Sequence, residues 1–214
     1  MMNQSRVVIE NICPLVEGGI FPIKRVMGEV VHVEADIFPD GHDIIQATLL
    51  FKSKNWQDWK EVRMKPVVND RWEAMFEVSE QGFYHFKISA WVDHPLNWQH
   101  GIERKIDDGQ KVTSELLEGK AYVEKIVPNA DETDRQYLTY LLGIFGDENQ
   151  YQPAITEAVS KNLKNIFKKH PDRFLPNESP EYSVYVDRTK ALFSTWYEFF
   201  PRSASEMPNV HGTF

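Results

Sequence analysis

The feature that most constrains this chain is a change of hydrophobic period near Pro95. Before it, apolar residues alternate with polar ones; after it, they recur every third or fourth position. A period of two sends side chains to opposite faces of a strand, and a period near 3.6 draws a stripe along a helix. One chain therefore holds two architectures in succession, strands first and helices second.

The strand part reads clearly. In Glu29–Phe38, Val31, Val33, Ala35 and Ile37 share one face, and His32, Glu34 and Asp36 share the other. Pro39-Asp40-Gly41 is a turn signal. Arg6–Ile9 and Ala47–Lys52 are further β-branched or apolar runs. Lys60–Met64 and Arg71–Val78 flank Asn69-Asp70, which predicts a hairpin, with Trp72, Ala74, Phe76 and Val78 on one face. Phe83–Val92 places Tyr84, Phe86, Ile88, Ala90 and Val92 together. About seven short strands at this spacing predict an immunoglobulin- or fibronectin-like β-sandwich over residues 1–94. Cys13 is the only cysteine, so the disulfide of antibody domains is absent and only the architecture is expected.

The helical part predicts an insert bundle over residues 95–180. Leu96–Asp108 carries Trp98, Ile102 and Ile106 at spacing four. Val112–Ile126 and Asp131–Phe145 follow, the latter opened by acidic residues and stopped at Gly146. Pro153–His170 reads as one helix with the stripe Ile155, Val159, Leu163, Ile166 and Phe167, ended by Pro171. Residues 181–214 form a return segment, in which Leu192–Phe200 is aromatic and β-rich.

Charge and cysteine usage exclude several classes. A net charge of -8 and a pI near 5.4 disfavour nucleic acid and anionic membrane as partners. A lone cysteine forms no internal disulfide and rules out a Cys-rich zinc site. No apolar run reaches the length of a signal peptide in Met1–Glu10, or that of a membrane helix elsewhere. A soluble, cytoplasmic protein without a cofactor is expected.

Each candidate site residue also has a plainer role. Asp36, Asp40, Asp43, Asp93, Asp107 and Asp108 are expected on solvated turns and strand edges rather than as a glycosidase pair. Asp93-His94 with His100 reads as a helix start with a capping side chain, so no metal site is expected. Trp72, Trp91 and Trp98 fall on packing faces. Trp56 and Trp59 flank a turn and are the candidates for a sugar-stacking platform. Gly18-Gly19 and Gly41 are turn glycines without a phosphate-loop pattern. The Lys161–Lys169 charges read as a solvated helix face.

A family resemblance adds to this. Trp196-Tyr197-Glu198-Phe199-Phe200-Pro201-Arg202-Ser203, followed by His211-Gly212-Thr213-Phe214, resembles the opening of the catalytic barrel in the α-amylase superfamily. Upstream, Gly18-Gly19-Ile20-Phe21-Pro22-Ile23-Lys24-Arg25, Asp40-Gly41-His42-Asp43, Asn69-Asp70-Arg71-Trp72 and Ala90-Trp91-Val92-Asp93-His94 resemble the α-1,4-glucan:maltose-1-phosphate maltosyltransferases. So do Glu115-Leu116-Leu117-Glu118-Gly119 and Val186-Asp187-Arg188, and the resemblance spans nearly the whole chain.

The resemblance implies an N-terminal sandwich, a helical insert, a (β/α)₈ barrel and a C-terminal β domain in the whole enzyme. It implies retaining transfer of maltosyl units from α-maltose 1-phosphate to an α-1,4-glucan, worked by an Asp nucleophile, a Glu acid/base and a second Asp. Those three would lie after later barrel strands, so no catalytic residue is expected here. The chain is expected to be the N-terminal scaffold of a homodimer, severed after the first barrel strand and inactive alone. Glucan and maltose 1-phosphate would meet the missing barrel. Arg202, at the end of that strand, is a further substrate-binding candidate. The competing readings are a stand-alone carbohydrate-binding module for α-glucans and an oligomerisation protein unrelated to sugar.

Overall fold

The computed structural model describes residues 5–212. Its first part comprises β1 (Val7–Cys13), β2 (Ile23–Val26), β3 (Val30–Pro39), β4 (Ile45–Ser53), β5 (Lys60–Arg63), β6 (Lys65–Pro66), β7 (Arg71–Glu77) and β8 (Gly82–Val92). Five helices follow: α1 (His94–Asp107), α2 (Thr113–Ile126), α3 (Glu132–Ile144), α4 (Tyr151–Ala158) and α5 (Lys161–Lys169). The chain then returns through β9 (Asn177–Glu178) and β10 (Tyr182–Asp187).

The strands make two sheets, ordered β1-β3-β7-β6 and β2-β10-β8-β4-β5, with β9 also paired to β8. Pairing is antiparallel except between β10 and β2. The alternation seen in the sequence is the inward face of each strand: Val31, Val33, Ala35 and Ile37 share one core with Leu49, Tyr84, Phe86 and Ile88. Phe51 of β4 stacks on Phe76 of β7 at 4.5 Å between centroids, joining the two sheets. The sandwich-like arrangement is therefore present. The return strand belongs to it, since Val184 and Val186 of β10 lie in the same core.

The Asn69-Asp70 hairpin is shorter than expected. Lys60–Arg63 pairs with β4 in the other sheet, and only Lys65 and Pro66 pair with β7. The chain crosses between sheets at Met64, whose side chain is buried and whose amide donates to the Ala47 carbonyl at 3.0 Å. Filling the gap between sheets with Met64 costs the ladder its continuity, as sandwich corners do.

The helices bury a second core around Trp98 of α1, which meets Tyr122, Phe145 and Phe167. The single helix expected over Pro153–His170 is two. Ser160 has ψ 145, and its hydroxyl accepts the Leu163 N–H at 3.1 Å, capping α5. The Ala158 carbonyl freed by the break is not orphaned, because the Gln99 side-chain Nε2 donates to it at 2.9 Å and to the Ser160 carbonyl at 3.1 Å.

Beyond β10, Thr189–Leu192 makes one 3₁₀ turn, and residues 193–200 form no strand. The barrel strand expected at Leu192–Phe200 is thus not formed in this chain; a strand takes shape only against a neighbour that completes its ladder. Thr213 and Phe214 lie outside the described residues. No helix among the described residues is long and apolar enough to cross a membrane.

Candidate functional site

Trp56 and Trp59 lie in the connection between β4 and β5, and both are half-buried. Trp56 packs edge-on against Phe51 and Tyr84, with centroids 6.2 and 5.6 Å away. Its indole N–H donates to Glu80 at 3.0 Å, and the Lys60 ammonium sits 3.8 Å above the ring. Trp59 lies across Lys52 and Lys87, 4.7 and 5.4 Å from its ring. No ring contact joins the two tryptophans among the described residues. Arg202 is exposed on the 3₁₀ turn Pro201–Ser203, without an ion-pair partner among the described residues.

Of the carboxylates singled out in the sequence, Asp36, Asp40 and Asp43 are tied up in surface contacts, and Asp107 and Asp108 are exposed. Asp36 takes hydrogen bonds from Asn11 at 2.8 Å and Arg71 at 3.0 Å, which hold its pKa below the usual carboxylate value. Arg6 bridges Asp40 and Asp43, each at 2.9 Å. Sequence reasoning missed one grouping on the outer face of β3 and β7, where His32, Glu34 and Glu73 bring ligand-type atoms within 4.8 Å of one another. Glu34 stands opposite Glu73 in the ladder, so the signal required the strand register. Arg71 already donates to Glu34 through Nε and Nη2, at 3.1 and 2.9 Å.

The seam between sandwich and helices is the most built part of the molecule. Asp93 follows β8 and caps α1, accepting the Leu96 N–H at 3.1 Å. It is fully buried, its second oxygen has no partner, and burial pushes its pKa up to about 6, opposed in part by the Leu96 bond and Arg63. Trp91, also fully buried, stands beside the guanidiniums of Arg63 and Arg173, 5.2 and 4.9 Å from its ring. Arg173 pairs with Glu61 of β5 through two bonds of 2.9 and 2.8 Å, tying the segment after α5 to the sheet. Trp91 packs and Asp93 caps, as the sequence predicts, but Asp93 is not on the solvated turn expected of it: β8 passes directly into α1, and the carboxylate at that junction is buried. Arg63 and Arg173, 110 positions apart, carry no such signal.

The sequence profile of α-1,4-glucan:maltose-1-phosphate maltosyltransferase, domain N/S, matches residues 5–188. The chain belongs to the α-1,4-glucan:maltose-1-phosphate maltosyltransferase family. It is 40% identical over 212 residues to the maltosyltransferase of Chlorobaculum tepidum, covering 99% of this chain and 32% of that protein. With the Myxococcus xanthus maltosyltransferase it shares 37% identity over 216 residues, 97% of this chain and 32% of that one. With that of Methylacidiphilum infernorum it shares 36% over 214 residues, 99% and 32%. The chain thus spans about a third of the length of these relatives, 32% in each case. The match to the maltosyltransferase N/S domain closes at Arg188, one residue past β10, so it takes in both cores and stops before the aromatic segment.

Proposed function

We propose that this chain is the non-catalytic scaffold of a cytoplasmic retaining maltosyltransferase. That enzyme moves maltosyl units from α-maltose 1-phosphate to α-1,4-glucan acceptors, and the scaffold helps two copies form a homodimer. The observation that carries this reading is the domain N/S match over residues 5–188, in a chain that covers 32% of its relatives. The remaining two thirds would hold the barrel, with the nucleophile and acid/base carboxylates at its C-terminal face. The exposed aromatic run at Phe193, Trp196, Tyr197 and Phe200 is the side such a barrel would cover. The lone cysteine is in keeping with a reducing compartment.

The purified chain should release no phosphate from α-maltose 1-phosphate in the presence of glycogen. Turnover by the chain alone would defeat the assignment. Light scattering on the longer protein tests the dimer, and a monomer at every concentration would remove that role. The rival reading, a free-standing glucan-binding module, needs an aromatic face open to a sugar ring. Lys60 over Trp56 works against it. Calorimetric titration with maltoheptaose should be flat, and saturable binding lost in Trp59→Ala would favour the rival.

A further inference from the structure

A cleft of about 840 Å³ opens between the edge of the sandwich at β4–β6 and helices α1 and α5. Its size is that of a small-molecule site. Its charge is opposite to the protein's. In a chain of net charge -8, the cleft gathers Arg63, Lys65, Lys161, Lys164 and Lys168, with Glu103 as the one carboxylate among its lining residues. None of these five cations has an ion-pair partner among the described residues. Lys161, Lys164 and Lys168 follow one another at i, i+3 and i+7, so they line one face of α5. Lys169, off that face, is instead paired with Asp131 and Asp134.

A second, independent observation lies in the same cleft. Gln99 is only 5% exposed, and its Nε2 is committed to the Ala158 and Ser160 carbonyls. Those two acceptors fix which end of the amide is nitrogen. Its Oε1 therefore lacks a donor, and it is buried without a partner. An orphaned buried acceptor is costly unless something completes it. Arg63, whose Nη2 donates to the Lys168 carbonyl at 3.0 Å, likewise leaves Nη1 buried and unpartnered. Ile45, Met64, Leu96 and Val159 supply apolar walls.

We propose that this cleft binds a small phosphorylated sugar, with the phosphate among the lysines and Arg63 and a sugar hydroxyl donating to Gln99 Oε1. The cations supply attraction to a dianion, the amide oxygen selects for a hydroxyl, and the apolar walls take the C–H face of the ring. This site is separate from the proposed transferase chemistry and does not depend on it.

Calorimetry on the purified chain at low salt tests it, with glucose 6-phosphate, inorganic phosphate and glucose as probes. Glucose 6-phosphate should bind saturably at one site, at least about tenfold more tightly than either other probe, and more weakly as salt is raised. The exposed triple variant Lys161→Ala/Lys164→Ala/Lys168→Ala should weaken it at least about tenfold with an unchanged melting curve. Gln99→Leu should bring its affinity down to that of inorganic phosphate. Absence of saturable binding, equal affinity for inorganic phosphate, or indifference to the lysine variant would each overturn the proposal.

Discussion

Asn97 pairs with both backbone groups of Ile44. Its Oδ1 accepts the Ile44 N–H at 2.8 Å, and its Nδ2 donates to the Ile44 carbonyl at 2.9 Å. A side chain on α1 thus extends the pairing at the start of β4, where the Ile44 carbonyl also accepts the Asp93 N–H, and locks the first helix to the sandwich. Asn97→Ala leaves the Ile44 N–H without a partner in a half-buried site, while the Ile44 carbonyl keeps the Asp93 N–H at 2.9 Å. The expected loss is about 1–2 kcal/mol, measured as a lower urea midpoint. Asn97→Asp keeps the acceptor and loses the donor, so it should fall between the two.

Gly119 of α2 lies beneath the Trp98 ring, and a Cβ there would enter the ring's van der Waals envelope. The indole cannot turn away freely, because its N–H donates to the Glu115 carbonyl at 2.7 Å. Alanine favours a helix more than glycine does, by about 1 kcal/mol, so a solvent-exposed Gly119 would gain from the change. Here the overlap should win, and Gly119→Ala should destabilise the protein by about 1–3 kcal/mol in thermal melts. A rise in melting temperature would show that the helical core has slack.

What was legible in the sequence depended on whether a signal was local. Val31, Val33, Ala35 and Ile37 announce their face because alternation is a property of consecutive residues, and all four are buried. The break at Ser160 was hidden because Val159, Leu163 and Ile166 keep helical phase across it. The strand crossing at Met64 was hidden for a similar reason: nothing in Lys60–Met64 says which sheet it pairs with. Trp56 and Trp59 are legible as aromatics flanking a turn, and only the fold reveals the ammonium groups over their rings. The cationic cleft was the least legible, since Lys161, Lys164 and Lys168 face Arg63 and Lys65 from about a hundred positions away.

Asp93 should leave a pH signature of unusual sign. Its pKa is raised to about 6 in the folded protein from an ordinary value of 3.8. Between those values the folded state holds more protons than the unfolded chain, so this residue's contribution to stability falls as pH rises from about 4 to 6. A shift of that size corresponds to about 3 kcal/mol. Asp36, Glu61 and Glu115, whose pKa values are lowered by Asn11, Arg173 and Lys105 respectively, act in the opposite direction. The comparison must therefore be with Asp93→Asn, which keeps the oxygen that caps Leu96. The variant should gain on the wild type as pH rises from 4 to 7 in urea titrations. Parallel pH profiles would show that Asp93 is ionised in the folded state at no cost.

The aromatic segment after β10 should be dispensable for the fold of this chain. Phe193, Trp196 and Tyr197 are 80%, 90% and 88% exposed, so they bury little of the area that would stabilise anything. The two cores close without them, around Phe86 and around Trp98. Ending the chain after Leu192 should therefore leave the melting temperature within about 2 °C of the parent, against the several degrees that one lost core contact costs. It should also remove apolar surface that invites association, so sedimentation should show less self-association than in the parent. Trp196 gives a direct readout: of the six tryptophans it is the one at 90% exposure, and its loss should take away the component of fluorescence most readily quenched by acrylamide. A fall of many degrees on truncation would mean that these side chains pack on the sandwich, and that the face proposed for the barrel is already occupied.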